Sequence, residues 1–162
     1  MFSCNFGGGG TGGDDPPAGG GGEKNENAVW SSAFDTVFVI DEATDEMNEL
    51  KTLIYTLTGK APALKDYKSE ASSHEIVFGE CDRPISKTAY SKLDRYADLF
   101  SLERQGKSAY YIYAEGGSIA IAYSDVFAKK QAIDYILEKV DTETYAPEGL
   151  VARGIFDTIE YI

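Results

Sequence analysis

The feature that most constrains the fold of this chain is a hairpin pattern, AYYIYAEGGSIAIAYSD, at residues 109–125. Two alternating runs flank Gly116 and Gly117, which suit the positive φ values of a tight two-residue turn. The second run alternates large side chains with alanines: Ile119, Ile121 and Tyr123 against Ala120 and Ala122. We therefore expect two antiparallel strands. One face of the second strand carries only small side chains, which would allow a helix to pack closely against it.

Two strand–helix units precede this hairpin. The β-branched run DTVFVIDE (35–42) predicts a strand, and TDEMNELKTLIYTLTG (44–59) predicts a helix with apolar residues at three- and four-residue spacing. HEIVFGE (74–80) predicts a second strand, and SKTAYSKLDRYADLF (86–100) a second helix.

A last helix, SDVFAKKQAIDYILEKV (124–140), follows the hairpin. The predicted order is therefore strand, helix, strand, helix, hairpin, helix. This order is typical of an α/β (α+β) domain in which helices pack on a mixed β-sheet, and we place that domain at residues 28–145.

The first 27 residues have a different composition, with ten glycines in the first 22 positions. Glycine-rich chain has little apolar surface to bury, so we predict that 1–27 is a disordered tether. MFSC resembles the end of a bacterial lipoprotein signal, in which Ser3 would be the small residue before the lipid-modified Cys4. Neither a charged nor an apolar region precedes Cys4, so an incidental cysteine in a disordered leader is the other interpretation.

Charge and hydropathy exclude several classes of partner. The chain carries 15 Lys and Arg against 27 Asp and Glu, a formal net charge of −12, so we expect neither nucleic acid nor an anionic membrane surface as its partner. No run approaches the 18 to 20 apolar residues of a membrane span. We expect contact with a membrane only through a lipid anchor on Cys4.

Few residues of this chain could carry catalysis or bind a metal. With one histidine, His74, a zinc-protease site cannot be built, and a four-ligand structural zinc site would need more Cys and His than the chain has. Carboxylates lie near predicted strand ends, but nothing singles out a pair: Asp41, Glu42, Glu75, Glu80 and Asp125. We therefore expect no catalytic residues, no metal site and no cofactor in this domain.

Tyrosines offer one candidate binding site. Tyr111 and Tyr113 share a face of the first hairpin strand and lie about 7 Å apart, a spacing that suits stacking on adjacent sugar rings. The alternative is that both rings pack under a neighbouring helix or loop.

HEIVFGECDRPISKTAYSKL (74–93), followed by SAYYIYAEGGSIAIAYSD (108–125) and a helix, resembles the non-catalytic N-terminal domain of certain secreted glycoside hydrolases. These include α-glucuronidases and β-N-acetylhexosaminidases. The resemblance covers about residues 33–140 and rests on Gly79 after a strand, Arg83 before a helix, the hairpin motif 116–121 and Asp125. It implies a zincin-like fold without a metal site, and catalysis by a barrel domain further along the polypeptide.

The end of the chain, 146–162, is apolar enough to form an edge strand or to lead into a missing downstream domain. We therefore expect a non-catalytic accessory domain of a secreted, lipid-anchored bacterial carbohydrate-active protein at the cell surface. Its partner would be a downstream catalytic domain of the same polypeptide. The alternative function is a stand-alone carbohydrate-binding module that contacts polysaccharide through exposed tyrosines.

Overall fold

The computed structural model describes residues 29–31, 35–140 and 149–158. The elements are, in chain order, β1 (Val37–Val39), α1 (Asp45–Thr58), β2 (Ala63–Lys65), β3 (Glu75–Phe78), α2 (Pro84–Tyr96), α3 (Leu99–Arg104), β4 (Lys107–Glu115), β5 (Ser118–Tyr123), α4 (Val126–Val140) and β6 (Gly149–Asp157). The predicted tether at 1–27 and its Cys4 lie outside the described residues.

The strands form one six-stranded mixed sheet in the order β2-β1-β3-β5-β4-β6. Strands β2, β1, β3 and β5 are parallel, with Phe38 of β1 beside Ile76 of β3. Strand β4 runs antiparallel to both β5 and β6. The predicted mixed α/β architecture and the hairpin at Gly116 and Gly117, both with positive φ, are confirmed.

Helices cover both faces of the sheet and make three layers. On the first face α1 and α4 enclose one core cluster, whose main members are Phe38, Ile76, Phe78, Ile112, Ile119 and Ile121 from strands and Met47, Leu50, Ile54, Ile133 and Ile136 from helices. On the second face α2 and α3 enclose the other: Val37, Val39, Val77, Ala109, Tyr111, Ala120 and Ala122 from strands and Ala89, Leu93 and Leu102 from helices. Because successive side chains of a strand point to opposite faces, the strands contribute residues to two separate cores.

Helix α1 begins and ends where its sequence predicts. The Thr44 hydroxyl accepts a hydrogen bond from the Met47 N–H, and Gly59 ends the helix with φ 79°, a left-handed conformation that costs glycine little. Helix α2 begins at Pro84, a residue that suits the first helical turn because its missing N–H would have no helical partner there.

Two elements, β2 and α3, are absent from the predicted order, and the edge strand β6 lies within 146–162, where an edge strand is one of the two expectations. All three residues of β2 are exposed, so no apolar alternation marks it in the sequence. The predicted helix 86–100 is in fact divided, because Ala97 adopts an extended conformation and Asp98 starts a new N-cap. Tertiary packing of Leu102 stabilises the short α3.

Candidate functional site

The connectivity of the sheet creates a crevice at the carboxyl-terminal ends of its parallel strands. Strands β1 and β3 are adjacent and parallel, yet the chain leaves β1 for α1 on the first face and β3 for α2 on the second. Ligands of open α/β sheets bind in crevices of this kind. Asp41 follows β1 here, and Gly79, Glu80 and Cys81 follow β3.

Two tyrosine hydroxyl groups occupy the space beside Gly79. Gly79 has φ 99°, and a Cβ atom built on it would lie 2.6 Å from Tyr67 Oη and 2.7 Å from Tyr123 Oη. The Tyr67 hydroxyl donates a hydrogen bond to the Phe78 carbonyl, and the Tyr123 hydroxyl borders the same space. Both the backbone conformation and the space therefore require glycine at position 79.

A third phenol completes this tyrosine cluster, which consists of Tyr67, Tyr90 and Tyr123. The Tyr90 hydroxyl accepts the Tyr123 N–H at 3.3 Å and lies 3.4 Å from the Tyr123 carbonyl, to which it donates. Burial raises the pKa of all three phenols above the ordinary value, and the nearby Tyr123 phenol and Asp41 carboxylate reinforce the raised pKa of Tyr67. The cluster is therefore uncharged at neutral pH.

The buried Glu75–Arg83 ion pair holds a loop across the second face of the sheet. The side chains are 4% and 9% exposed, and Arg83 Nε lies 3.0 Å from Glu75 Oε1. The Arg83 guanidinium also donates to the Ser69 carbonyl at 2.7 Å and the Glu70 carbonyl at 3.3 Å, while Ser72 N–H donates to Glu75 Oε2. The Glu75 carboxylate thus anchors the segment 67–72.

Asp125, another of the candidate carboxylates, caps a helix. Its Oδ1 accepts the Ala128 N–H at 2.9 Å at the start of α4, and its Oδ2 accepts the hydroxyl of the fully buried Ser108 at 2.7 Å. The carboxylate thereby joins the start of α4 to the start of strand β4. By contrast, Asp41, Glu42 and Glu80 are exposed.

A cleft of about 360 Å³ lies at the same edge of the sheet, next to α3. Its lining residues are Leu99, Glu103, Gly106, Lys107, Ser124, Asp125 and Thr158. Two strongly exposed apolar side chains follow lining residues in the sequence: Phe100, 68% exposed, after Leu99, and Val126, 70% exposed, after Asp125. Exposed apolar side chains that form a contiguous patch favour contact with another macromolecule.

The structure gives different environments to the two tyrosines that were candidates for stacking on sugars. Tyr111 is only 7% exposed, and its ring packs edge-on against Tyr96 of α2 at 6.2 Å between centroids. Tyr113 is half-buried, with Lys92 Nζ 5.4 Å from its ring centre, and its hydroxyl donates to Glu115. The pair therefore cannot form a two-ring sugar platform in this conformation, because the helix covers Tyr111.

Within the described ranges, no cluster of three or more His, Cys, Asp or Glu side chains could hold a metal ion. His74, the residue considered for catalysis, places Nδ1 3.3 Å from the Gly117 carbonyl at the hairpin turn. No helix in the described part of the chain is both long and apolar enough to cross a membrane.

Sequence reasoning missed the tyrosine cluster, because its members are separated by 23 and 33 positions along the chain and meet only in the folded sheet. The one local signal was Gly79 directly after a strand. Searches against models of protein families and against curated proteins found no match to this chain.

Proposed function

We propose that this chain is a non-catalytic accessory module of a secreted, lipid-anchored bacterial carbohydrate-active protein, with a zincin-like fold, and that it supports a catalytic domain further along the same polypeptide. The observation that carries the proposal is the use of polar side chains that could otherwise serve in catalysis as structural hydrogen-bond partners. Tyr67, Glu75 and Asp125 each bind other groups of the domain through their side chains.

Catalysis requires acid, base or nucleophilic groups that can reach a substrate. The raised pKa values of Tyr67, Tyr90 and Tyr123 make these phenols poor bases at neutral pH. The Glu75 carboxylate is covered by Arg83, so it is unsuited to glycoside hydrolysis, which needs two accessible carboxyl groups. These features favour a non-catalytic role, in which the domain stabilises a catalytic domain, over catalysis by this domain.

The surface that best suits a partner domain is the cleft beside α3. Exposed Phe100 and Val126 follow its lining residues Leu99 and Asp125 in the sequence, and its polar lining includes Glu103 and Lys107. Contacts between domains of one chain combine apolar and polar groups in this way. We assign this cleft to the contact with the catalytic domain.

The first test is the gene sequence on both sides of the codons for Met1 and Ile162. A following reading frame for a glycoside hydrolase domain, with a lipoprotein signal upstream, would support the proposal. The protein encoded by the complete frame would then be compared with its Phe100→Ser/Val126→Ser variant. We expect a shorter half-life of glycosidase activity at elevated temperature in the variant, because the catalytic domain loses its support.

The matched control is Tyr55→Ser, which removes an apolar side chain of similar exposure from α1. Equal half-lives for all three proteins would overturn the assignment of the cleft. A gene that encodes no catalytic domain would overturn the proposed function itself.

The carbohydrate-binding alternative retains one supporting observation, the half-buried Tyr113 ring with Lys92 above it. Electrophoresis in gels that contain soluble polysaccharide tests it. Retardation of the chain that is lost in Tyr113→Ala would favour this alternative, whereas unchanged migration favours the accessory module.

A further inference from the structure

The last strand of the sheet, β6, exposes an ordered row of backbone hydrogen-bonding groups. The Thr158 N–H donates to the Gly106 carbonyl at 2.8 Å. The backbone groups of Thr158, and of every second residue before it in β6, therefore point towards β4. Because this direction alternates along an antiparallel strand, the N–H and C=O groups of Arg153, Ile155 and Asp157 point away from β4. Within the described ranges, no strand pairs with this outer edge.

The same three residues place their side chains on the second face of the sheet. Their partners on β4 are Tyr111, Ala109 and Lys107 in turn, and Tyr111 and Ala109 belong to the core on that face. Ile155 is 42% exposed although it is fully apolar. The outer edge of β6 therefore offers an alternation of a cation, an apolar side chain and an anion.

This segment, RGIFD at 153–157, is complementary to itself in antiparallel orientation. If Ile155 of one copy lies opposite Ile155 of the second copy, Arg153 of each copy lies opposite Asp157 of the other, which gives two pairs of opposite charges. Gly154 then faces Phe156 of the second copy on the other side of the sheet. Opposite charges and apolar pairs directly across an antiparallel pair are stabilising.

Other two-fold registers lack this match. Centring the pair on Arg153 or on Asp157 places like charges opposite each other, which is destabilising. Centring it on Gly154 places Ile155 opposite Arg153. All of these registers pair residues whose N–H and C=O groups point outward, but only the Ile155-centred register also places Arg153 opposite Asp157.

We propose that two copies of this chain associate through the outer edges of β6, with Ile155 on the two-fold axis, to form one continuous sheet. The charge complementarity of Arg153 with Asp157 is the observation that selects a second copy as the occupant of this edge. The contact is isologous, since the same segment serves both copies.

The contacts within one copy are compatible with this pairing. Lys107 Nζ binds Asp157 Oδ1 at 2.6 Å, and among the described residues no other group binds the second carboxylate oxygen, which can accept the incoming guanidinium. The Arg153 guanidinium carbon lies 4.4 Å from the Tyr96 ring centre. Stacking holds the guanidinium plane in place while its edge donors remain able to bind a carboxylate.

Sedimentation equilibrium of the complete chain at low salt, from micromolar to millimolar concentration, tests the proposal. We expect the mass to rise from 17.6 kDa to twice that value. Arg153→Glu places like charges opposite each other and should weaken association on the order of tenfold or more. The matched control Lys68→Glu makes the same charge change at an exposed lysine outside β6 and should leave association unchanged.

Two further variants separate pairing from general effects of charge. Arg153→Glu/Asp157→Arg/Lys107→Glu reverses every charge at the edge, retains the pair between 107 and 157, and should restore association. Ile155→Pro removes an outward N–H that the sheet of one copy does not use, so the domain should remain folded by circular dichroism but monomeric.

Hydrogen exchange of the unmodified chain supplies a readout without substitutions. The amides of Arg153, Ile155 and Asp157 should become protected as concentration rises. A chain that stays monomeric at every concentration overturns the proposal, whether these amides exchange quickly or are protected, since protection would then come from another occupant. Association that survives both Arg153→Glu and Ile155→Pro overturns it as well.

Discussion

At the carboxyl-terminal edge of the sheet, the available space and the hydrogen bonds of neighbouring side chains restrict which residue can occupy a position. The Tyr67 and Tyr123 hydroxyls occupy the volume where the Cβ atom of any side chain at position 79 would lie. Tyrosine at positions 67 and 123 therefore requires glycine at position 79. Glycine after a strand was visible in the sequence, and the resemblance to glycoside hydrolase domains also included it. The partners of Gly79 were not visible, because they come from a loop and a strand distant along the chain.

Gly79→Ala should destabilise the domain strongly. The added Cβ would lie within 2.7 Å of both hydroxyls and would have to adopt φ 99°. We expect a loss of about 1–3 kcal/mol in the free energy of unfolding, measured by urea denaturation. Gly116→Ala is the control, since it has φ 61° but open space around the new Cβ, and should cost less. Equal losses would show that backbone conformation alone determines the cost.

The tyrosine cluster predicts loss of stability in alkali. Burial raises the pKa of Tyr67, Tyr90 and Tyr123 in the folded state, whereas unfolded tyrosine titrates near its ordinary pKa of about 10. Above that pH the unfolded chain loses protons that the folded domain retains, so the free energy of unfolding should fall.

Urea denaturation between pH 8 and 11 measures this fall. Tyr67→Phe, which removes one of the three phenols, should show a shallower decline than the unmodified chain. Parallel pH profiles for the two proteins would contradict the assignment of the decline to this cluster.

Among the elements, the hairpin and the main helices follow from local patterns, and the connections between them do not. Large and small side chains alternate along β4 and β5 on either side of two glycines. The residues that cap α1, Thr44 and Gly59, are recognisable from their types and positions in the sequence. The segment between β2 and β3 carries no such pattern. Its course across the second face depends on Arg83, whose guanidinium binds main-chain carbonyls of Ser69 and Glu70.

Removing one partner of the Glu75–Arg83 ion pair should cost far more than removing an exposed one. Glu75→Ala leaves a buried guanidinium without its carboxylate, and we expect a loss of about 3–5 kcal/mol in the free energy of unfolding. The control Lys60→Ala breaks an exposed pair with Asp35 and should cost less than about 1 kcal/mol. A similar small loss for both variants would mean that Arg83 finds other partners without Glu75.

The whole molecule combines a sheet covered on both faces with a strongly acidic chain. Its 27 acidic residues exceed its 15 basic ones, so folding brings like charges closer together. The same excess supports the expectation of a partner other than nucleic acid. Which faces and edges remain uncovered is a property of the whole fold and not of any one element.

Added salt should therefore stabilise the domain. Sodium chloride at about 0.5 M reduces the Debye length to roughly 4 Å and screens the repulsion among carboxylates. We expect the urea midpoint to rise with salt concentration at pH 7. An unchanged or falling midpoint would mean that attractive pairs such as Lys107–Asp157 outweigh the net repulsion.

The sequence by itself determined the class of fold, the hairpin and the positions of the long helices, because each rests on periodicity, capping or turn residues within a few positions. Only the tertiary structure decided that Tyr111 lies beneath α2 and that Glu75 is paired with Arg83. The tertiary structure likewise brought Tyr67 and Tyr123 together at Gly79 and left the outer edge of β6 without a partner among the described strands. These features join residues distant along the chain, and local patterns carry no information about such contacts.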